Sequence, residues 1–174
     1  HHLRLGQDHA RNRQALALPA RKLHGVMPHN SVHTLRKGID KASEVGAVNG
    51  PLYVKKQGSG ILLGFRVEPR HCNPMGICHG GMISTFCDML LPISAHHLSA
   101  DVARRFLPTI NLQVDFLAPS PNGAWVQGEA QLLRATRSMV FMQGLVTADG
   151  QSVARVSGIF KIGPRFEDAP TTPA

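Results

Sequence analysis

The sequence predicts an α+β fold, one long curved antiparallel sheet wrapped around a single buried helix, and three observations carry that prediction. From Gly80 to about Leu98 apolar residues cover nearly every face of one helical stretch. Ile110, Leu112, Val114 and Phe116 alternate with Asn111, Gln113 and Asp115, the pattern of a strand with one face buried. Asp149-Gly150 separates two strand-like runs, 139–148 and 153–162, where a type I′ hairpin turn belongs. A helix that is apolar all round has to be covered, and a sheet is the regular element available to cover it.

The elements follow in order. Residues 1–50 read as a basic extension, in which Val32, Leu35, Ile39, Ala42 and Val45 recur at helical steps and predict one short amphipathic helix. Gly50-Pro51 and the cluster Gly58-Ser59-Gly60 punctuate two short β runs, 52–55 and 61–67. The period becomes helical after Pro74, and returns to two at Ile110. Asn122-Gly123 marks a turn, and the run 124–133 precedes the final hairpin. The order is β-β-α-β-β-β-β, in a domain expected over 51–163, with a Pro/Thr-rich tail at 164–174 expected to fray.

Composition removes several classes of function. At 174 residues and 43% hydrophobic, the chain suits one domain with a substantial core. The run 82–98 is interrupted by Asp88, Pro92, His96 and His97, so it reads as a core helix and not a membrane span. The net charge of +8 lies mainly in residues 1–40, which hold seven Lys/Arg against two acids; with no nucleic-acid-binding motif beside it, this arm predicts no nucleic-acid partner. Three Cys residues, an odd number, predict reduced thiols, and with no secretory apolar stretch the expected location is cytoplasmic.

The chemistry concentrates in residues 73–88. Gly80-Gly81 opens the helix, where the first amides lack intrahelical acceptors and are able to donate to an oxygen gaining negative charge. Two glycines alone would heavily favour a plain turn into a helix. Asp88 weighs against that reading, because a carboxylate in an apolar helix is costly unless it is bonded or used as a base or nucleophile. Gly80 and Asp88 are eight residues apart, about 12 Å along a helix axis. If both act on one carbonyl, they come from two antiparallel copies of the helix, as a two-fold dimer provides.

The motif Asn73-x2-Gly76-x2-His79-Gly80-Gly81-x6-Asp88 resembles the signature of hotdog-fold acyl-CoA thioesterases of the phenylacetate-pathway type, within the 4-hydroxybenzoyl-CoA thioesterase superfamily. The resemblance spans roughly 51–163. It implies that the Gly80 amide polarises a thioester carbonyl while Asp88 of the partner subunit acts as general base or nucleophile. It further implies that Asn73 orients substrate or water, that His79 hydrogen bonds the loop, and that Thr109 contacts the carboxylate or water. Gly81 would line the substrate, and Arg134 and Arg137 would stand near the coenzyme A phosphates, although two solvated turn residues would look the same. The implied assembly is a homodimer or homotetramer with acyl-CoA as substrate, no separate cofactor and no membrane partner.

Other readings compete. His71, Cys72, Cys78 and His79 offer zinc-ligand chemistry, but Cys-x5-Cys-His lacks the usual ligand pairing, so no metal is expected. Cys87 reads as core and Cys78 has no evident spatial base, which disfavours a cysteine nucleophile. A hydratase or dehydratase would carry a different His pattern. A non-catalytic acyl-CoA sensor or oligomer module has no use for Asp88.

Overall fold

The structure is a computed structural model that describes residues 48–168 together with the pair 33–34. The strands are β1 (His33–Thr34), β2 (Tyr53–Gln57), β3 (Gly60–Arg66), β4 (Thr109–Phe116), β5 (Trp125–Ala135), β6 (Met139–Ala148) and β7 (Gln151–Lys161); the helix α1 (Gly80–Leu98) lies between β3 and β4. They form one antiparallel sheet in the order β1-β2-β3-β5-β6-β7-β4. Asp149 and Gly150 both adopt positive φ, 46° and 88°, and Ala148 pairs with Gln151, so the two-residue hairpin turn forms where the sequence places it. The expected helix over 32–45 lies almost wholly outside the described residues; its members His33 and Thr34 are strand, paired with Val54 and Tyr53. The last strand begins at Gln151, two residues before the expected start.

The helix packs its Phe86, Cys87, Leu90, Leu91 and Ala95 side into the concave face of the sheet, against Leu63, Phe65, Val126, Val140, Val156 and Phe160. Burial of each large side chain contributes about 1.5–3 kcal/mol. Two strand glycines let the helix come this close, and a third lets neighbouring strands pack. A Cβ built on Gly128 would stand 2.5 Å from Leu90 Cδ2, and one on Gly158 would stand 2.8 Å from Leu91 Cδ1. On Gly144 it would meet the Glu129 carbonyl oxygen at 2.8 Å, and a backbone oxygen in a paired strand cannot step aside. Gly144→Ala is therefore expected to destabilise the protein by about 1–3 kcal/mol, seen as a lower denaturant midpoint at unchanged slope; a midpoint equal to wild type would contradict the packing described.

Two expectations need correction. The helix is not enclosed: Thr85, Asp88, Met89, Pro92 and Ile93 remain partly uncovered and Gly81 is exposed. The strand β4, expected to bury its apolar face, leaves Ile110 and Phe116 56% and 57% exposed. Both follow from topology. The strand β4 is the outermost in the order, and one sheet reaches around only one side of the helix. The tail also departs from expectation, since residues 164–168 dock on the segment before β4. Phe106 N–H donates to the Pro164 carbonyl at 2.9 Å, Arg104 pairs with Glu167 at 2.7 Å, and Phe166 stacks edgewise on His96.

Candidate active site

The segment 71–80 is a tight loop closed at its base. His79 N–H donates to the His71 carbonyl at 2.8 Å, and Asn73 N–H to the Ile77 carbonyl at 2.9 Å. Inside it, Asn73 Oδ1 accepts from the Met75 and Ile77 amides at 2.9 and 3.4 Å, and Gly76 turns the chain with φ of 73°. The Asn73 carboxamide oxygen thus holds the loop, and only its NH2 group is left for a ligand. His71 lies buried below, its Nδ1 accepting from the Glu68 amide at 3.0 Å, which puts its proton on Nε2; burial holds its pKa below the ordinary value, so the ring is neutral.

His79 caps the helix. Its Nδ1 accepts from the Gly81 N–H at 2.9 Å, and its own carbonyl accepts from the amides of Met82 and Ile83. The sequence assigned His79 to the loop's hydrogen bonding, and in the structure that bond engages the Gly81 amide. Among the described residues no acceptor takes the Gly80 N–H. The amide offered at the helix start is therefore that of Gly80. Phe116, which the sequence pattern placed in the core, packs here instead: its Cζ lies 3.3 Å from where a Gly80 Cβ would stand. Nothing in an alternating pattern distinguishes a strand-end aromatic that faces a site from one that faces a core.

At the other end, Thr109 Oγ1 donates to Asp88 Oδ1 at 2.6 Å. Asp88 is half-buried, not fully buried as its apolar neighbours implied, and its second oxygen has no partner among the described residues. Pro92 inside the helix has no N–H to offer the Asp88 main-chain carbonyl four residues back. The helix thus runs antiparallel to β4, Gly80 beside Phe116 and Asp88 beside Thr109, with about 12 Å of helix axis between the two groups. One chain does not bring them together.

Arg134 and Arg137 are exposed, and the side chain of neither makes a hydrogen bond or ion pair with another described residue. Arg137 sits in the β5–β6 turn, where Thr136 Oγ1 accepts from the Met139 amide at 3.0 Å. The cross-strand partners Ala135–Val140, Val140–Phe160 and Phe160–Thr109 place this turn at the Thr109 end of the sheet, three strand spacings away, about 14 Å. Burial pushes the thiols of Cys78 and Cys87 up to about 12, Cys72 adding to the first and Asp88 to the second, so neither is poised as a catalytic thiolate near neutral pH. Among the described residues no three His, Cys, Asp or Glu side chains are grouped to hold a metal ion, and no helix is long and apolar enough to cross a membrane.

Comparison with known proteins agrees with this architecture. Residues 75–154 match the model of the thioesterase superfamily. A Pseudomonas aeruginosa protein bearing the name "Putative esterase PA0474" is 25% identical over 114 residues, covering 65% of this chain and 84% of its own. Among solved structures, the Bacillus halodurans BH2602 protein with CoA superposes with a TM-score of 0.64 at 18% identity, over 74% of this chain and 84% of that one. The E. coli PaaI protein from the phenylacetic acid degradation operon superposes with a TM-score of 0.58 at 17% identity, over 68% and 87%. With its single helix laid on a curved antiparallel sheet, this chain has the hotdog fold, and over residues 75–154, which include its helix-opening segment, it is similar to the thioesterase superfamily.

Proposed function

We propose that the protein hydrolyses acyl-CoA thioesters to the free acid and coenzyme A, in sites shared between two subunits of a homodimer, two of which combine as a tetramer. The observation that carries this reading is the placement of Gly80 and Asp88 at opposite ends of β4, whose outer edge is unpaired among the described residues. Antiparallel pairing of two β4 edges about a two-fold axis sets the Phe116 end of one beside the Thr109 end of the other. Gly80 of one subunit then faces Asp88 of the partner subunit, and the same contact covers Ile110, Phe116 and the open side of the helix. We take 51–163 as the hotdog unit and the cytoplasm as its location, a reading supported by the odd number of Cys residues.

The thioester carbonyl oxygen accepts from Gly80 N–H, which gains most as negative charge develops there. Asp88 removes a proton from water, or adds to the carbonyl carbon as coenzyme A thiolate leaves, giving a mixed anhydride that water opens. Thr109 holds one carboxylate oxygen so that the other faces the reacting centre. The Asn73 NH2 group positions substrate or water, His79 and Gly81 shape the helix start, and Arg134 and Arg137 stand where phosphates of the extended coenzyme arm would reach.

Two measurements test this. Short, medium, long and aryl acyl-CoAs should release free thiol on incubation with the protein, and activity should sediment with a dimer or larger; an active monomer would refute the shared site. In the second, Gly80→Pro subunits are mixed with Asp88→Ala subunits, each inactive alone. After random exchange half the dimers are mixed and hold one intact site of two, so about one quarter of wild-type activity should return. No recovery after confirmed exchange would reject the arrangement.

A further inference from the structure

Cys72 and Cys78 are direct cross-strand partners in an antiparallel bridge at the base of the loop that leads to Gly80. The flanking hydrogen bonds, Asn73 N–H to the Ile77 carbonyl and His79 N–H to the His71 carbonyl, make them a pair with no backbone bonds between themselves. In such pairs the Cα atoms approach to about 4.5 Å and both side chains leave on one face. Disulfides span Cα separations of about 4.4–6.8 Å, so a link at this position needs no movement of the backbone. Both thiols are free; Cys72 is half-buried and Cys78 buried, and a charge on one opposes a charge on the other.

We propose that Cys72 and Cys78 form a dithiol modification site, which a low-molecular-weight disulfide converts into an intrachain disulfide that staples the loop presenting Gly80. The more accessible Cys72 thiolate attacks one sulfur of the small disulfide, forming a mixed disulfide and releasing one small thiol. Cys78 then attacks the Cys72 sulfur, loses its proton, and displaces the second small thiol. Two protein thiols are oxidised and one small disulfide is reduced to two thiols, which carry away the protons. Burial makes the Cys78 thiolate costly, which slows the second step and leaves the reduced form without the thiolate stabilisation that makes a disulfide easy to reduce. The closed ring holds seven residues, 72–78. Restricting it in the unfolded chain should raise Tm by roughly 5–10 °C.

The test is thiol chemistry on the full chain and does not depend on what the active site hydrolyses. After incubation with oxidised glutathione and acid quenching, intact mass should show monomers lighter by two hydrogens with no glutathione attached, and Tm should rise. Cys87→Ser should behave as wild type, Cys78→Ser should retain one glutathione, and Cys72→Ser should stay unmodified. A glutathione adduct that persists on the wild-type chain, a link between chains, unchanged thiols at an oxidising ratio of glutathione, or loss of the link in Cys87→Ser would each overturn the proposal.

Discussion

Asp88→Asn is expected to lower kcat by about two to four orders of magnitude with KM near wild type, the loss that follows removal of a general base or nucleophile. The amide keeps the shape of the carboxylate and can still accept from Thr109 Oγ1, whose bond to Asp88 is 2.6 Å long, so the fold and the acyl-CoA site should survive. A carboxamide neither takes a proton from water nor adds to a thioester at neutral pH. Single turnover of the wild-type enzyme in labelled water separates the two routes. Label entering the Asp88 side chain indicates the anhydride, and label confined to the product acid indicates the base. Unchanged kcat in Asp88→Asn would remove Asp88 from the mechanism.

Gly80→Pro should lower kcat by about two to three orders of magnitude, the usual effect of deleting one oxyanion donor. This position tolerates proline unusually well. Gly80 is the first helical residue, where a missing N–H breaks no helix bond, and the preceding His79 already has the extended φ of −62° and ψ of 138° that proline requires of its neighbour. The added ring atoms press on the tip of Phe116, an exposed side chain that can turn aside. Gly80→Ala makes the same contact while keeping the N–H, and should retain most of the activity. If Gly80→Ala and Gly80→Pro lose kcat equally, crowding against Phe116 and not the amide would explain the loss.

Much of the site was legible as residue types at fixed spacings. The helix start at Gly80, the Asp149-Gly150 hairpin and the alternation in β4 are local features, set by backbone sterics and by a side-chain period that each segment carries in itself. The 12 Å between Gly80 and Asp88 is of the same kind, since helix geometry alone determines it. Errors arose where a residue's surroundings depend on distant segments. Ile110 and Phe116 belong to a regular one-face pattern, yet they lie open because β4 is the edge strand, and nothing within 109–116 reports its place in the sheet. Asp88 looked buried among apolar neighbours, but it lies at the margin of the sheet, bonded to Thr109 at the end of the edge strand and otherwise partly uncovered.

By itself, then, the sequence determined the element order, the helix-opening glycines, the carboxylate two turns beyond them, and the need for a second chain if both serve one carbonyl. Tertiary structure alone decided that the Gly81 amide is spent on capping by His79 while that of Gly80 is left open, that the Thr109 contact implied by the resemblance is a direct bond to Asp88, and that Gly128 and Gly158 make room for the helix. It also decided that Cys72 stands across from Cys78. The division has a physical cause. Periodicity and propensity act within a few residues, whereas register between strands, and the choice of which helix face a sheet covers, are settled only when segments far apart in the chain pack together.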